Sequence, residues 1–175
     1  MLAVLLGSTM RAAMESPFIK WPAEFKPENT KVYVSNRIAI SADPATVWAW
    51  LIFADSWPKW YANSSQVVLD GATDGQLSIG TKFHWKTFGV NLDSNVKEFE
   101  PFQRLAWDAT ANGIQAYHAW LIVPTPKGCT VLTEETQNGL LARLGKFFRS
   151  GQMHSEHQKW LEGLKTQAES GMPIQ

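Results

Sequence analysis

The chain has 175 residues, enough for one domain with a substantial core. Sixteen basic residues balance sixteen acidic ones, so there is no basic field to engage phosphates, and no nucleic-acid partner is expected. The single cysteine, Cys129, excludes an internal disulfide and a cysteine zinc cluster, and no apolar run approaches the roughly 20 residues of a membrane span.

The N-terminal stretch is apolar only from Leu2 to Leu6 and lacks a basic flank, so no signal peptide and a cytoplasmic location are expected. Pro17, Pro22 and Pro27 predict an extended arm up to residue 30, pinned to the surface by Phe18, Trp21 and Phe25. Val32, Val34, Ile38 and Ile40 alternate on one face of a first strand, with Asn36 interrupting that face. Asp43-Pro44 is a helix start, an N-cap acceptor followed by proline at the first helical position. Val47, Trp48 and Leu51 give this helix its buried side. A second short start follows at Asp55-Ser56, with Trp57 and Trp60 read first as core and second as a cavity mouth.

From residue 64 the pattern is all strand. Gln66–Leu69 is short, and Thr81–Thr87 with Val90–Glu98 predicts a hairpin around Phe88-Gly89, setting Trp85 opposite Leu92 and Phe83 opposite Ser94. Arg104–Ala109 and Ile114–Val123 predict another, turning at Asn112-Gly113 and setting Leu105 opposite Trp120 and Trp107 opposite His118. A last hairpin through Pro124–Cys129 sets Trp120 opposite Thr133 and His118 opposite Glu135. These independent registers agree on one apolar face: Phe83, Trp85, Leu92, Val96, Leu105, Trp107, Ala116, Trp120, Ile122 and Val131. The other face is less apolar but holds Tyr117, Leu121 and Leu132.

The run from Gly139 to Ala168 organises the rest. Met153, His157, Trp160, Leu161, Leu164 and Ala168 recur at helical spacing and form one stripe, opposite Glu156, Lys159, Glu162 and Thr166. Leu140, Leu141, Leu144, Phe147 and Phe148 form a second stripe out of line with the first, which predicts a break near Ser150-Gly151 and a cover over a cavity mouth.

The row Trp107, His118, Glu135 is the main candidate for chemistry. Three neighbouring strands bring an aromatic, an imidazole and a carboxylate together on the apolar face, where a carboxylate needs a donor. Such a pair serves structure alone, orients a ligand's oxygen, or moves a proton. His154 and His157 share a helix face, but not at the zinc-protease spacing and with no third ligand evident, so no metal and no cofactor are expected. Phosphate-cradling glycine motifs and the Gly-x-Ser-x-Gly elbow are absent, and Cys129, placed in a turn, has no base beside it.

The segments IAISADPATVWAWLIFADSWPKWYANSSQV (38–67), VKEFEPFQRLAWDA (96–109), GCTVLTEETQNGLLARL (128–144) and HQKWLEGLKTQAES (157–170) resemble the START-like (SRPBCC) superfamily, especially its polyketide cyclase/dehydrase branch. The resemblance implies an α+β helix-grip fold: a curved antiparallel sheet around a long C-terminal helix, with an apolar ligand cavity between them. It divides the chain into an arm (1–30), one helix-grip domain (31–170) and a tail (171–175). The ligand-binding residues assigned to that cavity are Phe83, Trp85, Leu105, Trp107, His118, Trp120, Thr133, Glu135, His157, Trp160 and Leu161. The implied partner is a small hydrophobic molecule (lipid, sterol, polyketide or quinone-like), without stable membrane insertion and with the oligomeric state open. The alternatives are a cyclase or dehydratase using the same cavity, and a protein-partner-binding domain. Few convergent polar groups on the inner face favour binding over catalysis.

Overall fold

Asp43 and Pro44 turn the chain from strand into helix. The Asp43 carboxylate accepts the Thr46 backbone N–H at 2.9 Å and the Thr46 hydroxyl at 2.8 Å, and Pro44 takes the first helical position. The structure, a computed structural model, describes residues 18–72, 74–139 and 150–174. Strand β1 (Val32–Ile40) leads into α1 (Pro44–Ile52) and the short α2 (Trp57–Trp60). Then come β2 (Ser64–Leu69), β3 (Lys82–Thr87), β4 (Val90–Glu100), β5 (Arg104–Ala111), β6 (Ile114–Thr125), β7 (Gly128–Asn138) and α3 (Ser150–Ser170).

The strands form one antiparallel sheet in the order β1-β7-β6-β5-β4-β3-β2, and α3 packs across it in the helix-grip arrangement. The hairpin registers are those read from the turns: Trp85 faces Leu92, Trp107 faces His118 and His118 faces Glu135. At the β3–β4 turn, Phe88 and Gly89 both have positive φ (51° and 76°), the backbone that matches strand twist in a two-residue hairpin. Two irregularities were not read from the sequence. Gln66 takes φ 52° where the β2–β3 register shifts, and the β4–β5 register shifts between Val96 and Glu98.

Every residue of the predicted inner face is buried, and so is every residue of the α3 stripe. Asn36 does not merely interrupt its face. It donates to the His154 carbonyl at 3.1 Å and to Gln158 Oε1 at 3.2 Å, tying β1 to α3. A Cβ on Gly163 would lie 2.8 Å from the Trp60 carbonyl oxygen, so glycine lets α3 close on α2. The arm covers the outer face: Trp21 and Phe25 pack on Tyr117 with ring centroids 5.8 and 5.6 Å away. The Thr136 hydroxyl donates to the Phe25 carbonyl at 2.9 Å. Phe18 does not join them; it is half exposed, because the anchoring contacts begin beyond it. Cys129 lies inside β7 rather than in a turn, buried, and burial pushes its thiol up to about 11. The whole second stripe and the segment before the expected break fall at 140–149, outside the described residues; Gly151 itself lies in the first turn of α3.

Candidate functional site: a buried carboxylate between two imidazoles

Strand β7 presents Thr133, Glu135 and Gln137 on its inner face, because side chains two apart share a side. The β6–β7 register brings His118 opposite Glu135, and the α3 stripe brings His157 down onto the same carboxylate. His118 Nδ1 lies 3.1 Å and His157 Nε2 3.3 Å from Glu135 Oε2. Gln137 donates to Glu135 Oε1 at 2.6 Å, and His118 Nε2 lies 2.7 Å from the Thr133 hydroxyl. All of these side chains are buried.

These partners define the protons. With the carboxylate ionised, His118 donates from Nδ1, so its Nε2 accepts from Thr133. His157 turns its Nε2 toward the same carboxylate, while its Nδ1 is buried and has no partner among the described residues. Burial alone would raise the Glu135 carboxyl, but hydrogen bonds from His118 and His157 outweigh it and hold the group well below the usual carboxylate range. Burial pushes the His118 imidazole below its ordinary value, against the opposing pull of Glu135.

The three residues line one end of a cavity between sheet and helix. Its free volume is about 20 Å³, room for about one water. Of the predicted site residues, Trp85, Trp107, His118, Glu135, His157 and Trp160 line it. Phe83, Leu105, Trp120, Thr133 and Leu161 do not; they are packed into the core at 0–1% exposure. The cavity is thus much smaller than the resemblance implies. Aromatic rings fill the rest of the space: Trp57 is fully buried, with its ring 5.2–6.0 Å from those of Phe83, Trp85, Trp107 and Trp160.

Several lining residues were missed. Gln137 follows from the period-2 pattern that gave Thr133 and Glu135. Ala109 and Ala116 pair across β5 and β6, and two small side chains among indoles leave the space open. Tyr61 stacks on Trp160 at 4.6 Å, a contact with no local sequence signal, and Thr87, Phe88, Leu92 and Ile114 complete the wall. His154, the other histidine of the helical pair, is exposed and does not reach the site. Its place beside His157 is taken by His118 and Glu135, from strands.

A START-like helix grip with a polar cluster at one end of its sheet–helix interface is the class this geometry defines. The chain matches the family described as polyketide cyclase / dehydrase and lipid transport over residues 31–169, and it belongs to that family. A crystal structure of a hypothetical protein from Helicobacter pylori is similar at 31% identity and TM-score 0.80, covering 90% of this chain and 99% of that one. The di-domain aromatase/cyclase of the steffimycin biosynthetic pathway shares the fold at 15% identity and TM-score 0.62; the match covers 79% of this chain and 51% of that one. A point mutant of Thalictrum flavum norcoclaurine synthase, in complex with a transition-state analogue, shares it at 11% identity and TM-score 0.60, covering 78% of this chain and 93% of that one. A search of curated proteins found no match. Among the described residues, no helix is long and apolar enough to cross a membrane.

Proposed function

We propose that residues 31–170 act as one domain that binds a small hydrophobic molecule between the inner sheet face and α3. A polar group of that molecule meets Glu135, His118 and His157. The observation that carries this reading is a buried carboxyl group, held between two imidazoles, facing a cavity lined by Trp85, Trp107 and Trp160. Apolar burial supplies affinity at about 25 cal/mol per Å², and the polar end fixes orientation. The resting cavity holds about one water, so a larger guest enters only as wall residues such as Tyr61 move outward. The family's description supports a lipid or polyketide-like guest.

The test combines native mass spectrometry of freshly purified protein with titration of an apolar fluorescent probe. Wild type is expected to carry or bind one small molecule per chain. Ala116→Phe, which fills the cavity, should bind at least tenfold more weakly while remaining folded. Equal binding by the folded variant would overturn the proposal.

A second reading, a cyclase or dehydratase, is favoured by one detail. His157 has its Nε2 anchored on a carboxylate and its Nδ1 unpartnered among the described residues, the arrangement of a general base. It predicts that His157→Gln retains probe binding but loses turnover of a poly-β-ketone probe. No turnover by wild type would remove it.

A further inference from the structure

The Glu135 carboxylate faces two imidazoles and, among the described residues, pairs with no lysine or arginine. From this cluster we propose a divalent metal site of the zinc class, with His118 Nδ1, His157 Nε2 and a Glu135 oxygen as protein ligands and the fourth position open to the cavity. The proposal rests on the cavity reading above and adds what its polar end holds.

Geometry carries it. One ligand atom from each of the three residues lies within 4.8 Å of the others. The two imidazole-to-carboxylate separations are 3.1 and 3.3 Å. Ligand atoms around a tetrahedral zinc with bonds of about 2.0–2.1 Å sit about 3.3 Å apart, so an ion fits with small outward shifts. Two histidines and one carboxylate are a donor set suited to zinc or another first-row ion. The surroundings match what such ligands need. With Nδ1 on the ion, the His118 proton sits on Nε2 and is donated to the Thr133 hydroxyl 2.7 Å away, the reverse of the metal-free arrangement, and Gln137 holds the second oxygen of Glu135. The adjoining cavity has room for the one water that would complete the coordination, or for a ligand oxygen in its place. The ligands come from two rigid strands and a long helix, so the set is preformed.

The test uses untagged full-length protein, treated with chelator and then dialysed. Titration with Co²⁺ is expected to give the visible bands of four-coordinate cobalt at one ion per chain, displaced by Zn²⁺, with a rise in melting temperature on zinc loading. Glu135→Gln and His157→Ala should each weaken Zn²⁺ binding by more than roughly 100-fold, and Thr133→Val by about 10–100-fold. His154→Ala, three residues from His157 on α3, should bind as wild type. Folded wild-type protein that takes up neither ion would overturn the proposal, as would a folded His157→Ala variant with undiminished affinity. The apolar probe is titrated on the same samples. Probe binding without ion binding sinks the metal site alone, and ion binding without probe binding sinks the cavity reading alone.

Discussion

Two histidine–carboxylate pairs sit directly across neighbouring strands of the same sheet, and they behave in opposite ways. His84 on β3 faces Asp93 on β4, with Nδ1 2.7 Å from Oδ1, and Asp70 stands 3.6 Å from the other nitrogen. His118 on β6 faces Glu135 on β7 at 3.1 Å. The first pair is on the solvated face, and its hydrogen bond to Asp93 raises the His84 pKa above the ordinary value. The second is on the inner face, where burial lowers that of His118 despite the same kind of partner. A carboxylate neighbour therefore does not decide a histidine's charge. Access of water to the imidazolium does.

The largest effect should come from breaching the wall that makes the difference. Trp120 lies parallel to the His118 ring, centroids 5.5 Å apart, and is itself 1% exposed. Trp120→Ala should cost about 3–5 kcal/mol in denaturant unfolding and let His118 move back toward an ordinary titration. An unshifted His118 in a variant that admits water would break the comparison. Next in size is Glu135→Ala, which strands the donors of His118, His157 and Gln137. A loss on the order of 3 kcal/mol is expected. The matching change outside, Asp93→Ala, should cost far less at pH 7, because that pair is exposed.

The pH dependence follows with defined signs. The folded pKa of His118 lies below its unfolded value, so its contribution is present above about pH 6.5 and is lost as pH falls from there. Glu135, also depressed, acts in the same direction: its contribution is present above the unfolded carboxyl value and lost at more acid pH. His84, raised, contributes below about pH 6.5 and loses this as pH rises through its folded value. Chelator-treated protein should thus unfold more easily at pH 5 than at pH 7, and NMR should show His118 titrating below His84. The reverse order would contradict the burial argument. The smallest effect is Asp93→Asn, expected to bring His84 back toward about 6.5 with no change in His118.

The pairings behind both clusters were legible in the sequence for a physical reason. Phe88-Gly89 pins the β3–β4 turn and the Pro124–Cys129 turn sets β6 against β7, and period-2 alternation carries each register along the strand, so His118 could be set against Glu135 by counting. The third member was half legible. The α3 stripe marked His157 as inward, but only the crossing of helix over sheet decides that it lands on Glu135 rather than elsewhere on the face. Cavity size was not legible at all. Nine tryptophans can line a hollow or fill it, and the outcome depends on ring orientations such as that of Trp57, which no spacing rule contains. Arm docking was partly read: Trp21 and Phe25 follow the aromatic expectation, while Phe18 is half exposed.

The position of β1 gives synthesis an order of events. Its pairing partner is β7, roughly a hundred residues further along the chain, and its other main contact is α3. As the polypeptide emerges from the ribosome, the hairpins from β3 to β7 can zip one after another, each against a neighbour already made. The first strand must wait for the last strand to complete its ladder, its backbone groups hydrogen-bonded to water until then. Glu135 is inserted beside Val34 in that closing step, and His157 reaches it only when α3 docks. The buried cluster therefore cannot be complete before α3 has been made, and a nascent chain halted before residue 150 lacks His157.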